Sequence, residues 1–429
     1  MTSDTHLNYQ EAYVWIWLPK STEPVVAGLL TKKDRRYYFN YGRSYLARKD
    51  AIAIYAPELE LKSEVIPLIE GLDMPGSIRD ASPDAWGRRV LMNQSFGQRL
   101  QIADPVELNE IFYLLESGSD RIGALDFQLS PSQYIPRLAR QATLEELLTA
   151  TQQVERGELL SVELDRAIHH GSSIGGARPK VMIDGDSCKL IAKFSSSSDY
   201  YNAIKGEFIA MRLAAQVGLN VAPVHLTSAL GKDILLIERF DREKNELGWC
   251  RKALVSALTI LELDEMMANY ASYENLTHVI RNRFSNPKVT LKELFGRIVF
   301  NILCGNTDDH ARNHAAFWDG NILSLTPAYD ICPQSRTGEE ASQGMLIFGG
   351  DRRSRIATCI EAATIFLLST QDAIAIVNQQ ITIIERDWQL ICQEANLRPT
   401  EQLYFWGRQF CNPYAFYGAP EGVKRVHLH

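Results

Sequence analysis

The stretch Asn306-Thr307-Asp308-Asp309-His310-Ala311-Arg312-Asn313-His314 decides how the chain is interpreted. Every side chain in it except that of Ala311 is polar or ionisable, and it directly follows the apolar run 295–305 (FGRIVFNILCG). We expect a helix that opens with the capping box Thr290-x-x-Glu293 and ends at Gly305. A functional loop is then expected immediately after the helix. A solvated loop without a function is the alternative explanation of this composition.

The spacing within this loop suits one kind of chemistry. Asp308 and Asn313 are separated as D-x-x-x-x-N, the spacing at which protein kinases carry a catalytic base and a metal ligand. Phosphoryl transfer also uses a second carboxylate for Mg²⁺, and Asp330 follows in TPAYD (326–330). These residues predict ATP- and Mg²⁺-dependent transfer, with Asp308 as the base and Asn313 and Asp330 as ligands of Mg²⁺.

Two histidines in the same loop allow a different interpretation. His310 and His314 have the spacing H-x-x-x-H, which is typical of a helical metal pair. No third ligand of the zinc-protease type lies next to them, so zinc is the weaker alternative. We expect His310 to lie beside the catalytic carboxylate and hold its geometry.

A glycine- and serine-rich segment, 171–180 (GSSIGGARPK), precedes these residues in the chain. Its backbone amides, around Ser173, Ile174, Gly175 and Gly176, are suited to cradling phosphates. The segment matches neither a Walker A motif nor G-x-G-x-x-G, and an ordinary turn explains it equally well.

Three further elements complete a predicted nucleotide site. Lys193, in LIAKF, suits the lysine that contacts the α- and β-phosphates, although a solvated edge lysine is the alternative. Glu207, at a predicted helix start, is placed to orient that lysine, or is simply a favourable carboxylate in a first turn. Glu238 and Phe240 form the predicted hinge, where backbone groups meet adenine and Phe240 covers it.

The bulk properties exclude several classes of protein. The net charge is −7, which disfavours stand-alone binding of nucleic acid. The N-terminus lacks the basic and apolar regions of a signal peptide, and no apolar run is long enough to span a membrane. The seven scattered cysteines predict reduced thiols in a cytoplasmic protein; they are Cys188, Cys250, Cys304, Cys332, Cys359, Cys392 and Cys411.

Hydrophobic periodicity predicts an α+β chain. Four short apolar runs within 12–56 (AYVWIWL, VVAGLL, RYYFNY and AIAIYA) suggest a small antiparallel sheet. A hairpin is expected over 181–194, a helix over 207–217 and a buried strand over 233–240. The later part of the chain is expected to be mostly helical.

These residues together resemble the HipA family of bacterial toxin kinases. The resemblance spans nearly the whole chain in the correct order. It is carried by RDASPDAWGRRVL (79–91), DRIGALDF (120–127), SIGGARPK (173–180), IAKF (191–194), ERFDR (238–242), NTDDHARNH (306–314) and TPAYD (326–330).

The resemblance implies a divergent, two-lobed protein-kinase-like fold, with a β-rich N-terminal lobe and a mostly helical C-terminal lobe. It implies three segments: a HipA-type N-terminal subdomain (1–130), the rest of the N-lobe (131–240) and the C-lobe (241–429). It also implies a small helix-turn-helix antitoxin of the HipB type as partner. Operator DNA is then bound only through the complex with the antitoxin. The substrate that the resemblance implies is a protein, such as an aminoacyl-tRNA synthetase.

The resemblance further implies a built-in switch. Ser173 matches the serine whose autophosphorylation expels the glycine-rich loop from the ATP site, and Ser172 is an alternative acceptor. A phosphoserine adds nearly two negative charges to a loop built to hold phosphates, so the loop and ATP repel each other. The chain departs from other members at Arg312 and at Arg178-Pro179, which leaves its choice of substrate open. A corepressor with weak kinase activity and a small-molecule kinase remain alternatives.

Overall fold

The computed structural model describes residues 8–96, 108–138, 141–168, 178–185, 187–196, 199, 201–336 and 338–426. The chain forms two compact units. The first unit comprises Met1–Asp199, Thr227–Val255 and Trp318–Asn321, and the second unit comprises Tyr200–Leu226, Ser256–Phe317 and Ile322–His429.

The first unit begins with a four-stranded antiparallel sheet. Its strands are β1 (Glu11–Ile16), β2 (Val25–Lys33), β3 (Arg36–Tyr41) and β4 (Leu125–Gln128), in the order β3-β2-β1-β4. Alternate side chains of β3 are buried because one face of the sheet covers a core, whereas β1 ends in three consecutive buried residues and β4 is buried throughout. That core includes Val14, Ile16, Leu30, Phe39 and Phe127. The predicted N-terminal sheet is therefore confirmed for three of its four apolar runs.

The fourth run, 51–56, is not a strand, and this prediction was wrong. Ile54 and Tyr55 are nevertheless buried. The backbone N–H of Ile54 donates to the hydroxyl of Tyr41 at 2.8 Å rather than to a neighbouring strand. The apolar pattern of this run thus reflects burial without a ladder of backbone hydrogen bonds.

In the described part of the first unit, short helices accompany the sheets. They are α1 (Arg43–Leu46), α2 (Gly76–Arg79), α3 (Ala85–Phe96), α4 (Glu110–Glu116), α5 (Leu144–Glu155) and α6 (Val162–Ile168).

A second four-stranded sheet carries the predicted lysine. It consists of β5 (Lys180–Asp184), β6 (Lys189–Phe194), β7 (Val224–Ala229) and β8 (Lys232–Glu238), in the order β5-β6-β8-β7. The predicted hairpin over 181–194 and the strand over 233–240 are confirmed within two residues. Three short strands follow: β9 (Arg242–Asn245), β10 (Gly248–Arg251) and β11 (Leu254–Ser256).

The second unit is mostly helical, as expected. Its helices are α7 (Ala203–Gln216), α8 (Ala257–Ile260), α9 (Tyr273–Arg283), α10 (Pro287–Cys304), α11 (Ile356–Glu361), α12 (Thr370–Glu394) and α13 (Pro399–Phe405). The strands β12 (Ala315–Trp318) and β13 (Leu323–Leu325) follow α10. Over the part of the chain that the structure describes, no helix has the length and apolarity needed to cross a membrane.

Two predicted helix starts were wrong. Helix α10 begins at Pro287, a residue suited to a first helical position, so Thr290 is not its cap. Glu293 instead pairs with Arg297 one turn later, at 2.9 Å. Helix α7 begins at Ala203 with Asn202 as its cap, which places Glu207 in the second turn, where it is buried. The first-turn explanation of Glu207 is therefore excluded.

Candidate functional site

Helix α10 places the polar loop, and it ends at Gly305 as predicted. Gly305 has a left-handed backbone with φ of 74°, and a Cβ atom there would lie 2.5 Å from the carbonyl oxygen of Gln409. Both facts favour glycine at this position. The backbone N–H of Asn306 then donates to the carbonyl of Asn301 at 2.8 Å, which turns the chain sharply out of the helix.

The loop folds back on its own backbone. The N–H of His310 donates to the carbonyl oxygen of Asp308 at 3.0 Å, and the side-chain amide of Asn313 donates to the same oxygen at 3.0 Å. The N–H of Asn313 donates to the carbonyl of His310 at 2.8 Å. These bonds fix the backbone around Asp308, whose side chain is exposed, and they hold Asn313 beside it in a buried position.

The segment that carries Asp330 is fastened to the same unit. The Tyr329 hydroxyl donates to the carbonyl oxygen of Arg312 at 2.7 Å, which ties the segment to the loop. Ala328 forms a parallel bridge with Val221. Asp330 itself has a left-handed backbone, with φ of 58°. Such a conformation is uncommon for a residue other than glycine and recurs at functional sites.

Asp308 and Asp330 interact electrostatically. Partial burial raises the pKa of the Asp308 carboxyl, His310 and Arg312 lower it, and the carboxylates of Asp330 and Asp309 raise it again. The net result is a raised pKa. A cation bound near these carboxylates would reduce their mutual repulsion.

The donor atoms around Asp308 fit Mg²⁺ only in part. Asn313 and Asp330 supply an amide and a carboxylate, which are ligands that Mg²⁺ accepts. Among the residues that the structure describes, no three His, Cys, Asp or Glu side chains converge into a metal-binding group. A Mg²⁺ ion held by Asn313 and Asp330 therefore needs further oxygen ligands, such as nucleotide phosphates and water.

Sequence reasoning missed a buried cluster behind the loop. Nε2 of His314 lies 2.8 Å from Oδ1 of Asp309, and the Tyr273 hydroxyl donates to Oδ2 of Asp309. Asn301 also bonds to this carboxylate. Burial acts to raise the pKa of Asp309. The nearby His314 and the hydrogen bonds that the Asp309 carboxylate accepts nevertheless hold this pKa below its ordinary value. The polar loop is thus built on a buried polar support, and His314 belongs to that support.

The predicted lysine of the first unit is buried, which excludes the solvated-edge explanation. Lys193 is 5% exposed and lies on β6, an interior strand between β5 and β8. Directly opposite it on β5 is Lys180, which is 4% exposed and was not predicted as a site residue. Residues directly opposite each other in antiparallel strands share one face of the sheet. Two lysines therefore concentrate positive charge on that face.

The remaining predicted nucleotide residues divide into two groups. Glu238 ends β8, and Phe240 follows it; both are half-buried. Ser173, Ile174, Gly175 and Gly176 lie outside the described residues, and so does Ser172.

The ERFDR motif has a structural role in addition to the predicted hinge. The Arg239 guanidinium lies 2.9 Å from Asp241 and 2.9 Å from Asp120. Arg242 pairs with the same two carboxylates at 2.8 and 2.7 Å. Because Asp120 opens the DRIGALDF motif, two stretches that carried the family resemblance meet in one buried ion network of the first unit.

Comparisons with known proteins identify the family. A domain-family profile described as HipA-like C-terminal domain matches residues 172–388, just over half of the chain. The chain belongs to the HipA family. A second profile, described as HipA N-terminal domain, matches residues 18–128 of this HipA-family protein.

Individual relatives are more distant. The chain is 26% identical over 174 residues to the putative kinase Y4mE of Sinorhizobium fredii, which covers 37% of this chain and 41% of that protein. It is 27% identical over 157 residues to the serine/threonine-protein kinase toxin HipA of Shewanella oneidensis, which covers 33% of this chain and 36% of the relative. The match with a putative kinase of Haemophilus influenzae covers 56% of that protein. The chain thus spans about half or less of the length of these relatives.

A solved structure shows that the fold is shared. HipA from Shewanella oneidensis, in a complex with HipB and its operator DNA, superposes with a TM-score of 0.70 over 97% of this chain and 100% of that one. The identity is 16%, so this likeness concerns the fold. It confirms the prediction of an α+β, kinase-like fold with a β-rich part and a mostly helical part.

Proposed function

We propose that this HipA-family protein is an ATP- and Mg²⁺-dependent Ser/Thr protein kinase and the toxin of a toxin–antitoxin pair. The observation that carries the proposal is the hydrogen-bonded loop that holds Asn313 beside the exposed Asp308, with the segment of Asp330 tied to the same loop through Tyr329. The names of its curated relatives, which are kinases or putative kinases, agree with this chemistry.

Each loop residue has a role in the proposed reaction. The Asp308 carboxylate accepts the proton of the acceptor hydroxyl as the hydroxyl oxygen bonds to the γ-phosphorus of ATP, and the bond from that phosphorus to ADP breaks. A bound Mg²⁺ neutralises phosphate charge, and Asn313 and Asp330 are the residues that would hold it. His310 lies beside Asp308 and lowers its pKa, which favours the carboxylate form that a base needs.

The first unit supplies the proposed phosphate contacts. Lys193 and Lys180 share one sheet face, and their combined charge suits the α- and β-phosphates of ATP. Backbone groups near Glu238 meet adenine, Phe240 covers it, and the segment with Ser173, Ile174, Gly175 and Gly176 encloses the phosphates.

Calorimetric titration tests the nucleotide site directly. Wild type should bind ATP more tightly with Mg²⁺ than without it, and Asp330→Ala should lose most of this difference. Lys193→Met should weaken binding by roughly 10- to 100-fold, the value of one charge-assisted hydrogen bond of about 1.5–3 kcal/mol. Binding of ATP that is equally tight in all three proteins would refute the assignment.

Autophosphorylation of Ser173 is the proposed means of regulation. Phosphatase-treated wild type, incubated with Mg·ATP, should gain one phosphate, which peptide mass spectrometry should locate at Ser173 rather than at Ser172. Ser173→Ala should gain none there, and Asp308→Ala should not react. A phosphate on Ser172 alone would move the switch to the neighbouring residue.

The proposed partner is a helix-turn-helix antitoxin of the HipB type, and the proposed substrate is a protein such as an aminoacyl-tRNA synthetase. Membership of the family supports both assignments, and the similar HipA of Shewanella oneidensis was solved with HipB and operator DNA. Operator DNA should bind the complex of this chain with the antitoxin, not this acidic chain alone. The proposed location of the protein is the cytoplasm. Co-purification with the adjacent gene's product, followed by operator binding, tests the partner.

A further inference from the structure

One short turn of the second unit exposes several large apolar side chains. The 3₁₀ turn Glu265–Tyr270 (EMMANY) has no buried residue. Met266 is 86% exposed, Met267 46% and Tyr270 63%. Single exposed apolar residues are ordinary, but three of them on one short turn concentrate exposed apolar surface, a feature associated with interaction sites. We call Met266, Met267 and Tyr270 the apolar patch.

The turn that carries the patch is well ordered by its hydrogen bonds. The Asp264 side chain caps it by accepting from the N–H of Met266 at 2.9 Å. The N–H of Met267 donates to the carbonyl of Asp264 at 3.0 Å, and the Arg352 guanidinium donates to the carbonyl of Asn269. The patch is therefore presented on a fixed backbone, which reduces the entropy lost when a partner binds.

An ion pair connects the turn to the proposed catalytic loop. The Glu265 carboxylate lies 3.0 Å from the Arg312 guanidinium, and both side chains are about half-exposed. Arg312 belongs to the same loop as Asp308, and its backbone carbonyl accepts a hydrogen bond at 2.7 Å from the hydroxyl of Tyr329, the residue before Asp330. Met266, the first residue of the apolar patch, thus directly follows Glu265, which contacts the loop that carries the proposed base.

We propose that the apolar patch binds the polypeptide substrate through a large apolar side chain that flanks the phosphorylated Ser or Thr. This inference rests on the proposed kinase function and names the class of substrate for that site. An acceptor hydroxyl at Asp308 requires the flanking residues of its chain to pass over the surroundings of the loop, since an extended chain covers about 3.3 Å per residue. Glu265 and Arg312 neutralise each other at that edge, so an apolar flank is favoured over a charged one.

Peptide profiling tests the proposal. A set of peptides would each carry one Ser, with Leu, Asn, Lys or Glu substituted at each flanking position, and phosphorylation with Mg·ATP would be measured. Wild type should prefer Leu over Glu at one or two positions by on the order of tenfold in kcat/KM. The double variant Met266→Arg/Met267→Arg should reverse that preference in favour of Glu. Leu403→Arg, which alters an apolar side chain 68% exposed on α13, is the matched control and should keep the preference for Leu.

The outcomes separate this proposal from the proposed function. Wild type that phosphorylates neither the peptides nor itself would refute the kinase, and the docking proposal with it. Wild type that phosphorylates peptides without a flanking preference, or a double variant with an unchanged preference, would refute the docking proposal alone. Sedimentation provides a further check: a wild-type dimer that the double variant converts to monomer, with an unchanged peptide profile, would show that a second copy covers the patch and would overturn the proposal.

Discussion

Nε2 of His314 lies 2.8 Å from Oδ1 of Asp309, and the two side chains are 4% and 2% exposed. The Tyr273 hydroxyl lies 2.9 Å from the same His314 nitrogen and also bonds to Asp309. Asp308, the preceding residue, is exposed and has a raised pKa, whereas the pKa of Asp309 is lowered. Two adjacent carboxylates therefore differ in role: Asp309 supports the loop, and Asp308 is accessible to a reactant.

This difference predicts opposite effects of two matched substitutions. Asp309→Asn removes the charge that the buried His314 and Tyr273 contact, and should lower the free energy of unfolding by about 2–4 kcal/mol. Asp308→Asn relieves repulsion from Asp330 and should leave stability unchanged or slightly higher. Urea unfolding of both variants measures the difference. Equal losses in the two variants would contradict the assigned roles.

The turn after α10 should depend on glycine for two separate reasons. Gly305→Ala places a Cβ atom against the carbonyl oxygen of Gln409 and forces a left-handed alanine, with φ of 74°. Gly218→Ala, with φ of 90° and no atom within 4 Å of the new Cβ, carries the backbone cost alone. We expect a loss of about 1–2 kcal/mol for Gly218→Ala and about 1–3 kcal/mol more for Gly305→Ala. Thermal unfolding that ranks them equally would exclude the steric contribution.

Buried ion pairs in the first unit predict sensitivity to acid. Asp126 lies 3.1 Å from Arg121 and 2.9 Å from Arg137, and the side chains of Arg121 and Asp126 are fully buried. Burial acts to raise the pKa of Asp126, but the two guanidinium groups outweigh it and lower the pKa. A lowered folded-state pKa contributes stability that is fully present above the unfolded value, about 3.9, and is lost as pH falls through the folded value.

Asp126→Asn should therefore destabilise the protein at pH 7 by about 3–5 kcal/mol, because it leaves Arg121 buried without its carboxylate. The difference from wild type should shrink as pH falls below about 4. Asp50→Asn, which breaks an exposed pair with Arg48, is the control and should change stability little. A deficit for Asp126→Asn that stays constant down to pH 2 would show that the carboxylate charge is not what stabilises this region.

The burial of the seven cysteines predicts that a single thiol is accessible to reagents. Cys188 is half-buried, and the other six are buried without disulfides. Burial raises the pKa of the Cys392 thiol to about 12, and it also raises the pKa values of Cys304, Cys359 and Cys411. Because the thiolate is the reactive form, a chromogenic disulfide reagent should modify Cys188 quickly and the others only after unfolding. Cys188→Ser should abolish the fast phase; a fast phase that survives would place a reactive thiol elsewhere.

The sequence predicted features set by neighbouring residues better than features set by contacts between distant residues. The end of α10 at Gly305 and the spacing of Asp308 and Asn313 lie within a few residues of each other, so the sequence was sufficient for both. Tyr273 lies 36 positions before Asp309, and only tertiary packing brings them together. Lys180 was overlooked because its importance comes from the strand register that places it opposite Lys193.

The errors have physical causes as well. Thr290 and Glu293 match a capping box, but Pro287 begins the helix one turn earlier, and tertiary contacts use Glu293 elsewhere. The backbone N–H of Asn220 donates to the Glu293 carboxylate, and Arg297 also pairs with it. Periodicity likewise detected burial at 51–56 but not the absence of a pairing strand.

Phosphoryl transfer from radiolabelled Mg·ATP to protein Ser or Thr, compared between wild type and Asp308→Asn, tests the central claim most directly. The account predicts labelled phosphoserine or phosphothreonine with wild type, and a rate about 10²- to 10⁴-fold lower for a folded Asp308→Asn variant, the contribution of a general base. Wild type that transfers no phosphate, or an Asp308→Asn variant as fast as wild type, would contradict it.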